Sequence, residues 1–364
     1  MKIVPPRFAK MLSNARHLGA VRKPEVWRKY LTKLLRAKLT GRISPRQIDI
    51  ALTFQCNLAC DHCFSAPLFH KNEKEMSYDV LRSVAKDCKE LGIPVVHFTG
   101  GEILMRQDLE TVIQIFKPDE NIIYLQSNGT LASWERLTSL KKAGLDFFSV
   151  SLESPDSGTQ DLFRHHDGYF DNALACLARA RKAGLLTSVN LTLDKGLLYS
   201  PDLSKLIEKL GRMGHIVYGN LPVPVGRYRG REDILWLGNE RVELTRLTRK
   251  YPHFRIEFDS NFGSYGCPAM KEKIYLCAYG DIIPCPYIHV AFGNVKNESL
   301  VDIHKRCLEF DIFREYPDHC LASENVTFIN EIMNYTHTFD RHPVSHEHFI
   351  HKLKNTDFSR RKNG

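Results

Sequence analysis

The chain has 364 residues, 43% of them hydrophobic and 26% charged, and a formal net charge of +9. This composition is that of a globular protein with room for one large domain and a small appended one, and it excludes a disordered or collagen-like chain. The first residues contain no apolar signal-peptide core and no apolar run is long enough to cross a membrane, so we expect a cytoplasmic protein whose ten cysteines form no disulfides.

The positive charge is concentrated at the N-terminus. Residues 1–48 contain 13 Lys or Arg and one Glu, and the remainder is close to −3. Residues 26–40 are predicted to form a basic amphipathic helix. Such a helix either covers the adjoining domain with a solvated basic face, which is the preferred interpretation, or lies on an anionic membrane surface. A nucleic-acid partner is not expected, because no basic groove with interleaved aromatic residues follows.

A predicted strand at residues 48–54 leads into three cysteines, Cys56, Cys60 and Cys63, separated by three and then two residues. Cysteine thiolates at short, fixed spacings hold four-iron clusters, and three of them leave one iron open to a ligand that is not protein. A zinc site with His62 as the fourth ligand is the alternative. An iron with a free coordination position beside the end of a strand indicates a catalytic cluster more than a structural one.

A second predicted strand, residues 93–98, is followed by Gly100, Gly101 and Glu102. The glycines allow a close backbone approach, and the carboxylate can accept a hydrogen bond from an ammonium group. Further strands are predicted at residues 121–126, 145–152, 185–193 and 215–220, with helices from residue 108 and at 133–143, 171–183 and 202–213. Six β/α units predict a parallel α/β architecture whose active site lies at the carboxyl ends of the strands.

The cysteine motif and the Gly-Gly-Glu together resemble the radical S-adenosylmethionine (SAM) superfamily. The resemblance implies a partial, TIM-like (β/α)6 barrel in which the open iron chelates SAM. It further implies that the reduced 4Fe–4S cluster cleaves SAM to a 5′-deoxyadenosyl radical, which abstracts hydrogen from a substrate. An electron donor such as ferredoxin or flavodoxin is then needed.

The resemblance also assigns the cofactor site. Cys56, Cys60 and Cys63 bind the SAM cluster. The implied SAM-binding residues are Gly100, Gly101, Glu102, Ser127, Asn128, Ser151 and Glu153. Asn190 and Thr192 either point into the barrel or are satisfied core groups, and Arg227 after the sixth strand is expected to face the substrate.

A second cysteine group follows the barrel. Cys267, Gly280 and Cys285 surround a predicted β-hairpin and resemble the SPASM or twitch extension of radical SAM enzymes, which holds an auxiliary 4Fe–4S cluster. Cys320 is the implied third ligand, and Cys277 is either the fourth ligand or faces the core of the hairpin. One auxiliary cluster is expected, because no dense run of further cysteines follows. Cys88, Cys176 and Cys307 are expected to be plain buried thiols.

Four regions are expected. They are a basic helical arm at residues 1–45, the core barrel at 46–235, the auxiliary-cluster domain at 250–330, and a His-rich, basic tail at 331–364. The domain seam is predicted at residues 228–237. The tail is expected to be exposed to solvent, with metal binding by its histidines as the alternative, and residues 360–364 are expected to be disordered.

The expected function is that of a radical SAM enzyme in peptide or protein maturation. The alternative is a small-molecule or lipid-tailoring enzyme of a biosynthetic pathway, and a more remote one is a metal-binding protein without catalysis. The expected partners are SAM, the electron donor, a peptide or small-molecule substrate and, through the N-terminal arm, the surface of an anionic membrane. The catalytic residue and the substrate are not assigned.

Overall fold

The computed structural model of the chain describes residues 21–41, 43–260 and 266–358. The expectations for residues 1–20 and 360–364 therefore fall outside the described part. The strands are β1 Gln47–Thr53, β2 Val95–Gly100, β3 Ile122–Ser127, β4 Phe147–Ser151, β5 Leu186–Thr192, β6 Ile216–Asn220, β7 Phe254–Ile256, β8 Lys273–Leu276, β9 Ile282–Ile283, β10 Val290–Ala291 and β11 Val344–Ser345. The α-helices are α1 Pro24–Thr40, α2 Tyr78–Glu90, α3 Leu109–Ile115, α4 Trp134–Lys142, α5 Ser157–Arg164, α6 Tyr169–Lys182, α7 Lys195–Tyr199, α8 Pro201–Arg212, α9 Glu240–Lys250, α10 Leu300–Cys307, α11 Asp311–Arg314, α12 Val326–Phe328, α13 Asn334–Thr336 and α14 Ile350–Asn355.

One large sheet organises the molecule, with the strand order β7-β6-β5-β4-β3-β2-β1-β8-β9. Strands β1 to β6 pair in parallel and in chain order, with helices between them, which confirms the predicted partial barrel of six β/α units. Because all these strands run in one direction, their carboxyl ends meet at one edge, which we call the mouth of the barrel.

The helices around the sheet follow from their apolar spacing. In α8 the buried side chains are Leu203, Leu206, Ile207 and Leu210, which lie on one face at helical spacing. The helix begins at Pro201, and the hydroxyl of Ser200 accepts a hydrogen bond from the next free backbone N–H, that of Asp202, at 3.2 Å. Because the apolar spacing and the capping residue agree, the predicted helix at residues 202–213 lies within one residue of the observed helix at each end.

The cysteine-bearing hairpin is present but is not a separate appendage. Strands β8 and β9 pair antiparallel, as predicted, around the turn at Gly280. In addition, β8 pairs in parallel with β1, with Gln47 opposite Lys273. The auxiliary-cluster region thus continues the barrel sheet next to the strand that leads into the first cysteine motif.

Helix α1 corrects the preferred sequence interpretation. It does cover the bottom of the barrel, where Val26 packs with residues at the starts of β2, β3, β4 and β6. However, Lys29 and Lys33 are buried, with Lys29 donating to Asn121 Oδ1 at 2.7 Å and Lys33 to the Leu91 carbonyl at 2.9 Å. The lysines therefore face the protein, where they satisfy acceptors at loop ends.

The C-terminal segment is also different from the exposed tail that was expected. Ile332 and Phe349 are completely buried, and Phe358 is 2% exposed. Strand β11 pairs in parallel with β10, so the segment packs against the auxiliary region. The histidine-rich composition concealed a set of apolar residues that anchor the segment. In the described part of the chain no helix combines the length and the apolarity needed to span a bilayer.

Candidate active site

The three cysteines after β1 lie on one loop at the mouth of the barrel, residues 54–65, which we call the cysteine loop. Burial, together with the nearby Glu102, Cys60 and Cys63, raises the pKa of Cys56 to about 11, so the three sulfurs share one region. Cys60 is buried, Cys63 is half-buried and Cys56 is exposed, which leaves the group open on one side. Iron binding would replace the thiol protons, and the positive charge of the metal would offset the burial of the thiolates. This donor set fits three irons of a four-iron cluster.

The zinc alternative for this loop requires His62 as a fourth ligand beside the three thiols. Structural zinc takes four ligands at about 2.0–2.3 Å. His62, the fourth ligand in that alternative, stacks on Phe163 with ring centroids 4.8 Å apart, and burial lowers its pKa to about 4. Stacking on Phe163, with Glu153 Oε1 3.7 Å from its Nε2, accounts for the position of His62 without a metal.

Gly100 and Gly101 press the end of β2 against the cysteine loop. A Cβ on Gly100 would lie 2.0 Å from the Thr53 carbonyl oxygen, and a Cβ on Gly101 would lie 2.1 Å from that of Gln55. The N–H of Gly101 donates to the Thr53 carbonyl at 2.8 Å, and the N–H of Glu102 donates to that of Gln55 at 2.8 Å. Because only glycine permits so close an approach, the two glycines fix the position of the loop above the sheet.

The carboxylate of Glu102 is fully buried and joins the ends of β2 and β3. It accepts hydrogen bonds from the Leu104 N–H at 2.8 Å, the Ser127 hydroxyl at 2.8 Å and the Asn128 N–H at 2.7 Å. Burial raises the pKa of Glu102, although these three donors act in the opposite direction. An ionised carboxylate has about four acceptor positions. One is left for the amino group of SAM, and that contact stays a prediction.

Asn128 also contacts the cysteine loop. Its Nδ2 donates to Asn57 Oδ1 at 2.9 Å, and Asn57 Nδ2 donates to the Thr130 hydroxyl at 2.9 Å. Asn57 directly follows Cys56, so the end of β3 is hydrogen-bonded to the loop beside its first thiol. Asn57 could not be identified from the sequence, because an asparagine between cysteines carries no signal of its own.

Ser151 belongs to a set of polar side chains inside the barrel. Gln126 Nε2 donates to its hydroxyl at 2.8 Å, and Asn190 donates to Gln126 Oε1 and, at 3.2 Å, to the Ser149 hydroxyl. These residues lie on the neighbouring strands β3, β4 and β5. Asn190 therefore points into the barrel and is also satisfied by protein partners. Thr192 pairs in register with Asn220 of β6.

Glu153 is engaged by a residue that the sequence analysis did not identify, Arg164 at the end of α5. Arg164 Nε donates to Glu153 Oε2 at 2.9 Å and Nη2 donates to Oε1, while Gln160 Nε2 donates to Oε2 at 2.9 Å. Burial raises the pKa of Glu153, but Arg164, His62 and the hydrogen bond from Gln160 together outweigh it, and the net shift is downward. Arg164 Nη1 also donates to Cys60 Sγ at 3.3 Å. Glu153 thus acts on the cysteine loop through Arg164, and its contact with SAM stays a prediction.

The loop after β6 reaches the cysteine loop as well. The N–H of Arg227 donates to the Cys63 carbonyl at 3.1 Å, and its guanidinium donates to the carbonyl of Ala59 and, at 3.4 Å, to that of Cys60. Gly226 has φ +65°, and a Cβ there would lie 2.1 Å from the Cys63 carbonyl oxygen. Arg227 therefore supports the cysteine loop, and its contact with a substrate stays a prediction.

Three of the four predicted auxiliary ligands come together. Burial raises the pKa of Cys320 well above its usual value, and the neighbouring thiols of Cys267 and Cys285 raise it further. Burial and the neighbouring Cys267 raise the pKa of Cys285 to about 12. Cys267 precedes the hairpin, Cys285 follows its second strand, and Cys320 follows α11. The proximity of the three sulfurs fits a shared cluster.

Cys277 is not brought to that group. It is completely buried in a separate apolar cluster with Tyr275, Tyr279 and Phe54, on the other side of the hairpin. Burial raises its pKa well above the usual value, and Asp281 is the neighbouring charge that adds to the effect. This placement matches the second sequence interpretation, in which Cys277 faces the hairpin core. Cys88, Cys176 and Cys307 are buried free thiols, as predicted.

Comparison with known proteins agrees with both cysteine groups. Residues 50–202 match the model of the radical SAM superfamily, and residues 267–323 match that of the SPASM iron–sulfur cluster-binding domain. The chain is 27% identical to an AdoMet-dependent heme synthase of Nitratidesulfovibrio vulgaris, over 74% of this chain and 82% of the relative. It is 26% identical to a GTP 3′,8-cyclase of Aliarcobacter butzleri, over 72% of this chain and 90% of the relative.

A solved structure shares the fold. The peptide-bound SuiB of Streptococcus suis matches with a TM-score of 0.59 and 19% identity, covering 76% of this chain and 68% of that one. The two matched family models cover both cysteine groups, and the matched structure shares the fold over 76% of this chain. The chain belongs to the radical SAM superfamily: it is an enzyme with a C-terminal SPASM domain, and its cofactors are a SAM-binding 4Fe–4S cluster, an auxiliary iron–sulfur cluster and SAM.

Proposed function

We propose that this radical SAM enzyme tailors a small molecule, and that its substrate is an iron tetrapyrrole with carboxylate side chains. The support from sequence is the similarity to an AdoMet-dependent heme synthase, which covers 74% of this chain and 82% of the relative. When bound, the cluster and SAM supply a 5′-deoxyadenosyl radical, and the protein has to hold the substrate beside them. The chain therefore needs groups at the mouth that suit iron and carboxylates.

Four histidines lie close to one another, His70, His289, His337 and His342, and we call them the histidine group. His70 Nε2 donates to the His342 carbonyl at 2.6 Å, and the ring centroids of His289 and His342 are 5.9 Å apart. The chain reaches this point from both cysteine motifs, because His70 follows the cysteine loop and His289 follows Cys285. The histidine group thus lies where the two cluster regions and the C-terminal segment meet.

The chemistry of the histidine group suits an iron tetrapyrrole. Burial lowers the pKa of His289 to about 3 and that of His337 to about 4, so both rings are neutral at pH 7 and retain a lone pair for iron. His342 Nδ1 is buried without a hydrogen-bond partner, which costs about 1–3 kcal/mol unless a ligand or water is bound there. The exposed Arg229 donates to the His337 carbonyl at 3.2 Å, and its guanidinium is suited to a substrate carboxylate. The observation that carries the proposal is this neutral histidine group beside an exposed arginine.

The test is a titration of the anaerobic protein with iron(III) coproporphyrin III, followed by the Soret band. We expect saturable binding with a shifted Soret band, and binding at least tenfold weaker in His342→Ala. His351→Ala, which removes an exposed histidine from α14, is the matched control and should bind as the wild type does.

Two results would contradict the tetrapyrrole proposal: no saturable binding to the wild type, or equal binding to His342→Ala. In that case peptide maturation, the function expected from sequence, becomes the leading candidate. Formation of 5′-deoxyadenosine only when a peptide is added would then support it. The likeness to peptide-binding structures does not decide the matter, because at this identity it concerns the fold alone.

We further propose that α1 gives this cytoplasmic enzyme peripheral contact with an anionic membrane. Because Lys29 and Lys33 face the protein, the outward face carries Leu31, Leu35 and Leu39, which are 58%, 58% and 82% exposed; we call them the leucine stripe. The basic residues beside it that remain exposed are Arg28, Arg36 and Lys38. An apolar stripe flanked by cations is the pattern of helices that lie in an anionic lipid interface.

Replacing the leucine stripe with serine should remove this contact. We expect the wild type to sediment with vesicles that contain phosphatidylglycerol, and the triple serine variant to stay in the supernatant. Leu162→Ser, which changes an equally exposed leucine on α5, is the control. Equal sedimentation of wild type and triple variant would contradict the membrane proposal without affecting the assigned chemistry.

A further inference from the structure

Arg164 is a buried cation aimed at one thiol of the SAM cluster motif. Its side chain is only 6% exposed, and its Nη1 lies 3.3 Å from Cys60 Sγ. Cys60 is the middle cysteine of the three and lies 104 residues earlier in the chain. Helix α5 ends at Arg164, so the fold of the segment after β4 sets the position of this guanidinium.

The direction of Arg164 is fixed by partners on its other sides. Glu153, 8% exposed, accepts hydrogen bonds from two nitrogens of the guanidinium. The guanidinium carbon lies 5.2 Å from the centre of the Tyr169 ring. The hydroxyl of Tyr169 donates to the Ser151 carbonyl at 2.8 Å, so this ring is itself held in place. Arg164 is therefore a rigid donor to sulfur, with a carboxylate held behind it.

Such a pair acts on an iron–sulfur cluster through charge. One-electron reduction adds a negative charge that spreads over the cluster and its sulfurs, and an N–H donor to a ligand sulfur stabilises the reduced form more than the oxidised one. A donor therefore raises the reduction potential. The negative charge of Glu153 acts in the opposite direction, and in a buried site both effects are only weakly screened.

We propose that Arg164 and Glu153 together set the reduction potential of the SAM-binding cluster, Arg164 raising it through Cys60 and Glu153 limiting that rise. Both are positioning residues, since neither needs to touch SAM for this role. These roles of Arg164 and Glu153 do not depend on the substrate. Replacing the two members of this salt bridge should therefore shift the potential in opposite directions, whereas loss of a merely structural contact would affect both variants alike.

The experiment is an anaerobic redox titration with dithionite, a one-electron donor, followed by the EPR signal that changes on addition of SAM. Arg164→Met should lower the potential and Glu153→Gln should raise it. Each shift should correspond to at least a tenfold change in the reduction equilibrium, which is about 59 mV for a one-electron couple. Glu110→Gln breaks another arginine pair, with Arg136, whose guanidinium donates to Glu110 and to the Arg106 carbonyl, and should leave the potential unchanged.

Iron content and circular dichroism establish that each variant is folded and loaded. If Arg164→Met fails to fold, Glu153→Gln and Arg164→Lys still test the proposal, because the first should raise the potential and the second should lower it relative to the wild type. Unchanged potentials in loaded variants, or shifts of the same sign for Arg164→Met and Glu153→Gln, would overturn it.

Discussion

Replacing Gly101 with alanine is expected to remove the SAM cluster and to destabilise the protein. The new Cβ would lie 2.1 Å from the Gln55 carbonyl oxygen and 2.7 Å from that of Phe54. Both atoms are backbone, so the cysteine loop itself would have to move. Overpacking of this kind costs about 1–3 kcal/mol, and the displaced thiols would no longer converge on one cluster. Iron content and the midpoint of thermal unfolding measure the two effects.

The matched control is Gly158→Ala. Gly158 lies inside α5 with an ordinary helical backbone, and the nearest atom to its new Cβ is 3.6 Å away. Alanine is the better helix former there, so we expect full iron content and a stability that is equal or slightly higher. Retention of iron in Gly101→Ala, at the level of Gly158→Ala, would contradict the account of how the cysteine loop is held.

The second large effect is expected at the auxiliary group. Cys285→Ala should lose about four irons of about eight, since it removes one of three thiols that meet there, and should still form 5′-deoxyadenosine from SAM. Cys277→Ala should keep all its iron, because this thiol packs among aromatic residues on the other side of the hairpin. Iron analysis with the 5′-deoxyadenosine assay separates the two variants.

Equal iron loss in both variants would restore Cys277 as the fourth ligand. Full iron in Cys285→Ala would remove the auxiliary assignment from this group altogether. If Cys267, Cys285 and Cys320 are the only protein ligands of the auxiliary cluster, its fourth iron binds a group that is not a cysteine of this chain.

The barrel and the cysteine loop could be predicted from the sequence because their signals are local. Strand β1 reads as an apolar run, and the three cysteines after it lie within eight residues. The contacts that complete the site are not local. Arg164 donates a hydrogen bond to Cys60, which lies 104 positions earlier in the sequence. No motif identifies an arginine at the end of a short helix as part of the site. Gln126 and Asn57 were missed for the same reason.

Two other features were hidden because composition and spacing suggested something else. The many lysines and arginines of α1 indicated a solvated basic face, whereas loop-end acceptors at Leu91 and Asn121 draw two of the lysines inward. The histidines after residue 336 indicated a solvated segment. In the structure, however, Phe349 and Leu353 of this segment are buried in the hydrophobic core. In both cases the deciding partner lies far away in the sequence.

The central claim is that this chain holds two iron–sulfur clusters, one of which cleaves SAM. The most direct test is the iron and sulfide content of anaerobically purified protein, together with 5′-deoxyadenosine release after addition of dithionite and SAM. The account predicts about eight irons per chain and release of 5′-deoxyadenosine. Zinc in place of iron, with no 5′-deoxyadenosine formed, would contradict it.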